Sequence, residues 1–295
     1  MFKIHPKWIV IMGVVFVSFA SILIKLSSAP SLIISTYRLA ITTLLVLPSF
    51  MMKGKGELGR IDGKSLLLSM LSGVFLAFHF ATWISSIKYT SIASSTILVN
   101  THSIFVILAS YLVLKDKVSR KVLASMGITI VGSIVIASVD FGVGSNVFYG
   151  DILAMLGALF VAGYMIIGRL LRQKMSATLY TFIVYLSCTV TLLLLDTVTR
   201  TPLYPYAPKE WLIFAALAVV CTILGHSIFS WSLAYVKPTF LSTAVLGEPV
   251  FASIWAIILF KEIPSIWQIA GSAIILYGIY RFTRLGEAEV QGTSA

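Results

Sequence analysis

Two residues able to exchange protons sit inside apolar stretches, 146 positions apart: His102 in the run 91–114 and Glu248 in the run 239–260. Glu248 lies about 14 Å along its helix from Thr239, near the midplane of a hydrocarbon core about 30 Å thick. A charge at that depth costs about 2.5–3.5 kcal/mol on insertion scales, so it faces a cavity or a partner. Two chemistries fit such a carboxylate. It either binds a substrate or coupling ion, or stays protonated and hydrogen-bonded to a neighbouring helix. An imidazole, with an ordinary pKa of about 6.5, is its natural proton partner at neutral pH. Pro249 follows Glu248 directly. It has no N–H and crowds the carbonyl of Val245, which predicts a kink and free backbone acceptors beside the carboxylate.

Other groups could complete a site. His79 and Trp83 lie in the run 66–87, and His226 and Trp231 in the run 211–233; at the same offset His226 falls on Phe80. Such rings wall a cavity for an amphipathic ligand, or simply pack between helices. Tyr164 in the sixth run, and Ser18 or Ser21 in the first, can supply hydrogen bonds. Asn100 precedes His102 by two positions, on a different helix face, so both cannot point squarely into one cavity. Lys25 and Arg38 are the two cations well inside apolar runs. Lys25 can snorkel to the surface, whereas Arg38 is placed to hold a carboxylate or brace the bundle. Asp116 and Glu262, beside Lys115 and Lys261, read as interfacial residues that end helices.

These residues must be positioned by a membrane bundle. The 295-residue chain is 58% hydrophobic and 11% charged, with mean hydropathy +0.98. That leaves too little polar sequence for a soluble shell. The apolar runs are 8–28, 31–52, 66–87, 91–114, 122–139, 151–171, 178–195, 211–233, 239–260 and 266–282. The expected fold is all-α integral membrane with ten transmembrane helices. The formal charge of +11 is a topology signal and not a nucleic-acid footprint: with the N-terminus inside, sixteen Lys and Arg fall on the cytoplasmic side and four on the other. Both termini are then cytoplasmic, in a multi-pass protein of the cell membrane. Cys188 and Cys221 lie within apolar runs and read as small inert residues.

The chain also repeats itself. A shift of 146 sets Tyr89 on Tyr235, Ser86 on Ser232, Asp116 on Glu262, Ser125 on Gly271 and Gly132 on Gly278; near the start, a shift of 144 sets Gly13 on Gly157 and Lys25 on Arg169. Five spans per half is an odd number, so the second copy enters the membrane inverted. The expected units are 1–140, an inverted copy at 150–284, and a short cytoplasmic tail at 285–295. Inverted repeats typify secondary transporters, which hold substrate at the midplane between copies. Ser125 with Gly132, and Gly271 with Gly278, are seven apart on one face, suited to scaffold packing or a homodimer contact.

The second half reads Leu246-Gly247-Glu248-Pro249-Val250, then Leu259-Phe260-Lys261-Glu262, then Gly271 to Gly278. The first half echoes it in Leu114-Lys115-Asp116 and Gly127 to Gly132. From 8 to 282 the chain resembles the EamA-type transporters of the drug/metabolite transporter superfamily. The resemblance implies ten helices in two inverted copies, and export. It departs from the pattern at His102-Ser103, where members often carry proline, so a kink is less expected in the fourth span than in the ninth.

The leading expectation is a secondary transporter for a small organic metabolite, an amino acid or similar amphipathic compound. The expected substrate-binding residues are Glu248, His102, His79, Trp83, His226, Tyr164, Asn100 and Arg38, with Pro249 the helix kink. The partners are that substrate, the lipid bilayer and a coupling proton or cation. Import, or facilitated passage through a channel, is the alternative. An intramembrane enzyme is disfavoured: there is no His-Glu-x-x-His metal motif, no nucleophile loop, no phosphate-binding loop and no sign of a cofactor.

Overall fold

The computed structural model describes residues 6–102, 104–106, 120–172, 174–229, 245 and 247–292, and the regular structure among them is helical. In chain order the helices are α1 (Pro6–Leu26), α2 (Ser31–Ser49), α3 (Gly63–Tyr89), α4 (Ile92–Val99), α5 (Arg120–Val143), α6 (Ser145–Leu171), α7 (Ala177–Val198), α8 (Pro208–Ala216), α9 (Gly247–Phe260) and α10 (Ile266–Gly292). Helix α2 runs on through a π-helical turn, Phe50–Gly54, and α8 through a longer one, Leu217–Ser227.

Among the described residues, six stretches are long and apolar enough to cross a bilayer: Trp8–Leu26, Ser31–Leu58, Gly63–Tyr89, Ser145–Leu171, Ala177–Val198 and Pro208–Ser227. Shorter apolar helices include Gly127–Ile136, Gly247–Phe260 and Ile266–Gly278. The chain is a multi-pass membrane protein, and its surface agrees. Leu44, Leu212 and Ile258 are 66%, 72% and 63% exposed, while Ser35, Thr42, Ser72 and Thr96 are fully buried. Apolar side chains meet lipid and small hydroxyls turn inward. Many hydroxyls bond within their own helix, as Thr42 Oγ1 does to the Arg38 carbonyl at 2.7 Å and Thr96 Oγ1 to that of Ile92 at 2.6 Å. This satisfies the group without a partner helix.

Side-chain caps start several helices. Asp62 accepts from the Ser65 amide at 2.8 Å and its hydroxyl at 2.7 Å to begin α3. Those two donors hold the Asp62 carboxyl below its ordinary value. Ser91 caps α4 through the Ser94 amide at 2.9 Å, and Ser176 caps α7 through that of Leu179 at 3.2 Å.

The two halves of the chain interlock. Helix α3 packs on α6 and α7, α2 on α7, α1 on α9 and the π segment after α8, α4 on α6 and α9, and α5 on α10. The small residues explain the last contact. A Cβ on Gly132 would stand 2.8 Å from the Gly271 carbonyl, and one on Gly278 would stand 2.9 Å from the Thr129 amide. The small-residue face that could have served a homodimer is thus occupied within one chain.

Helix α4 departs from expectation. It ends at Val99, with Asn100 and Thr101 in a turn and the Thr101 amide bonded to the Leu98 carbonyl three residues back, at 3.1 Å. The fourth span is therefore interrupted just before His102 without a proline. The Asn100 and Thr101 side chains carry part of that turn by bonding the Thr96 and Leu98 carbonyls, at 2.8 and 2.6 Å.

Candidate functional site

Arg38 is the largest fully buried side chain in the described structure, at 0% exposure. Its Nε donates to Thr222 Oγ1 at 2.8 Å, and its guanidinium carbon lies 4.4 Å from the centre of the Phe80 ring. Thr222 can accept because the chain is wound as a π-helix there, its own hydroxyl donating to the Leu217 carbonyl five residues back at 3.0 Å. Such windings often mark functional positions. One nitrogen and one face of the guanidinium are thus fixed by helices α3 and α8. Among the described residues, Nη1 and Nη2 have no hydrogen-bond partner. A buried donor left unmatched costs about 1–3 kcal/mol, and more when charged.

Among the described residues, the carboxylate that acts on Arg38 is Glu248, in the first turn of α9. It stands within electrostatic reach of Arg38 and takes a hydrogen bond from the Asn100 side chain. The turn after α4 makes this possible. The expectation that Asn100 and His102 lie on different faces of one helix does not apply, because the helix stops at Val99. Pro249 is buried just beyond Glu248.

The imidazoles surround the same centre. His79 places Nδ1 2.9 Å from the Gly157 carbonyl, so Nδ1 donates and Nε2 is the ring's free acceptor. It stacks on Trp83 with centroids 5.8 Å apart, and His226 meets Phe80 edge-on at 6.3 Å. Both imidazoles lie within electrostatic reach of Arg38, and His102 within that of His79. His102 Nδ1 stands 3.1 Å from the Val99 carbonyl. Trp83 is 4% exposed and its Nε1, among the described residues, lacks a partner.

Other expected residues fall elsewhere or nearby. The Tyr164 backbone carbonyl accepts from Ser72, at 3.4 Å, in a polar cluster with Tyr180 between α3, α6 and α7. Ser18 accepts from Trp255 Nε1 at 3.1 Å, and Trp255 stacks on Phe19 at 5.0 Å. Trp231, Lys115 and Asp116 lie outside the described residues. Thr222, Phe80 and Tyr185 were not singled out from the sequence, yet Thr222 and Phe80 hold Arg38 and Tyr185 lies within its electrostatic reach. For Phe80 a signal existed, because the repeat register sets it on His226. Thr222 has none, since nothing in the sequence announces π winding.

One end of the bundle is tied shut across the halves. Lys25 Nζ pairs with Glu262 at 2.7 Å. The other Glu262 oxygen accepts the Ile92 amide at 2.6 Å, so this residue caps α4 from outside and is not merely a helix end. Lys261 makes the turn possible by adopting the left-handed conformation, φ 56°. Beside it, Glu210 accepts from the Ser27 hydroxyl and from the Ser28 amide and hydroxyl, at 3.0 and 2.8 Å for the latter two. Lys88 donates to the Ser27 carbonyl, and Lys209 to that of Leu26 at 3.1 Å.

The pseudopaline exporter CntI of Pseudomonas aeruginosa is 26% identical over 264 residues, covering 89% of this chain and 90% of that one. An uncharacterized transporter of Archaeoglobus fulgidus is 24% identical over 272 residues, covering 90% and 92%. A solved crystal structure, 16% identical, superposes with a TM-score of 0.65 over 96% of this chain and 98% of its own, which speaks to fold alone. The profile of the EamA-like transporter family matches residues 7–138 and again 148–284. The chain therefore belongs to the EamA-like transporter family and is a transporter, not an enzyme.

Proposed function

We propose that this transporter exports a small organic metabolite, an amino acid or similar amphipathic compound, by alternating access around the Arg38–Glu248 centre. The observation that carries the reading is that centre itself. It is a buried cation and a half-buried carboxylate, contributed by α2 and α9, held in one neighbourhood by α3, α4 and the π segment after α8. Buried ionisable groups inside a bilayer mark pathways more often than braces.

The packing supports two inverted copies, 1–140 and 150–284, with 285–295 as a tail. Exchanging the halves turns the α3–α6 contact into α8–α1, α4–α6 into α9–α1 and α3–α7 into α8–α2, and each of these contacts exists. The contacts α2–α7, α4–α9 and α5–α10 map onto themselves. The two separate matches of the family profile fall on the same division. Ten spans, both termini in the cytoplasm of a cell-membrane protein, complete the proposal and make the Lys25–Glu262 end the outer one.

Export is carried over from the relative named as a pseudopaline exporter. The substrate-binding residues are Arg38, Glu248, Asn100, His79, His102, Trp83 and His226, with Tyr164 further along the path and Pro249 breaking the helix. Glu248 is the group through which a proton or cation couples to movement. The test compares the medium and cytosol of cells producing the chain with those of cells lacking it, by untargeted mass spectrometry. Producing cells should enrich one class of metabolite in the medium and deplete it inside. Enrichment inside the producing cells would reverse the proposed direction.

A further inference from the structure

The buried guanidinium of Arg38 is more specific than a general polar lining. Its Nε is taken by Thr222 at 2.8 Å and one face by the Phe80 ring at 4.4 Å. What remains is the end-on fork of Nη1 and Nη2, fully buried and without a hydrogen-bond partner among the described residues. That fork matches a carboxylate in spacing and plane, taking two parallel N–H···O bonds. Glu248 does not fill it. Its hydrogen bond comes from Asn100, and it balances Arg38 only from a distance. A second unmatched donor, Trp83 Nε1, lies three residues beyond Phe80, one turn along α3 on neighbouring faces.

We infer that the substrate carries a carboxylate, which binds end-on to Nη1 and Nη2 of Arg38 while an amino group of the same molecule faces Glu248. This rests on the transport reading above and narrows its substrate class. The buried Arg38 and the half-buried Glu248 then find a partner at once, and the loaded site is close to neutral, which favours carrying it across the low-dielectric interior. The aromatic rings of Phe80, His79 and His226 wall the rest. A ligand lacking the carboxylate leaves the fork unmatched, and sites built to hydrogen-bond a ligand group reject analogues without it strongly.

The test begins with the metabolites that change in the medium of producing cells. Each is then presented to the purified chain in liposomes as the free acid and as its carboxamide, which keeps the amino group and the size. The acid should be moved at least about 100-fold more efficiently than the amide. Arg38→Lys, which keeps the charge but not the fork, should weaken uptake of the acid about tenfold or more, and Arg38→Gln should abolish it. The acid–amide comparison uses the native chain, so it stands even if a variant fails to fold. Equal transport of acid and amide overturns the inference while leaving the transporter reading intact. So does a released metabolite without a carboxylate, or a folded Arg38→Gln chain with native activity. No metabolite changing at all would sink the transport reading, and this inference with it.

Discussion

Glu248 takes its hydrogen bond from Asn100 and feels the charge of Arg38, with His79, His226 and His102 as the nearby imidazoles. An amide of the same shape can keep the Asn100 contact, and a neutral group is cheaper to bury. Glu248→Gln should therefore fold and melt like the native chain. Its transport should nevertheless fall by about 30-fold or more, the scale for removing the partner of a substrate's cationic group, and lose its response to an imposed pH gradient. His102→Gln should cost less than about tenfold, because its ring is held by a backbone carbonyl and lies within electrostatic reach of His79. Liposome uptake measured from about pH 6 to 8 reads both; native rates for Glu248→Gln at every pH would remove the coupling role. At this scale the sequence made the charged residues visible, because charge is costly in apolar runs. It did not show their partners. Asn100 reaches Glu248 through a turn with neither glycine nor proline, and Thr222 reaches Arg38 through π winding, so both depend on backbone geometry that residue types do not encode.

At the scale of the helix, the same logic separates the glycines. The α5–α10 contact leaves no space for side chains: a Cβ on Gly132 meets the Gly271 carbonyl at 2.8 Å and the Ile275 amide at 2.9 Å, and backbone cannot step aside. On the same helix Gly127 has nothing within 4 Å. Gly132→Val should destabilise the protein by about 1–3 kcal/mol through overpacking. Gly127→Ala should be neutral or gain up to about 1 kcal/mol from helix propensity. Melting curves of the purified chain in detergent distinguish them, and equal melting of the two variants would mean that α5 and α10 do not pack this closely. The spacing of these small residues was legible from the sequence, but their partner was not. A seven-residue stripe says only that a backbone approaches closely, and both a second copy and the other half of the same chain fit that demand. The apolar runs likewise located the described helices well, because hydropathy reports lipid contact directly.

For the molecule as a whole, the proposed alternating access makes the ties at the Lys25–Glu262 end the closure of the centre on that side. The pair is partly exposed, 33% and 19%, so its Coulomb attraction is screened and contributes about 0–1 kcal/mol to stability. Its consequence is geometric. Lys25 is on α1 and Glu262 follows α9, so the contact, together with the Glu262 bond to the Ile92 amide, joins three helices of different halves over the site. Alternating access requires that this end part in every cycle. Replacing Lys25 and Glu262 by Cys, in a chain whose Cys188 and Cys221 are changed to Ala, and joining them with a short bifunctional thiol reagent should stop net transport. A reducible linker should restore it on reduction. Lys25→Ala alone should lower the melting temperature little while shifting the population toward forms open at this end, read as faster labelling of a cysteine placed at Ser18. Undiminished transport by the cross-linked chain would mean that this end stays closed throughout, and that substrate leaves the Arg38–Glu248 centre by another route.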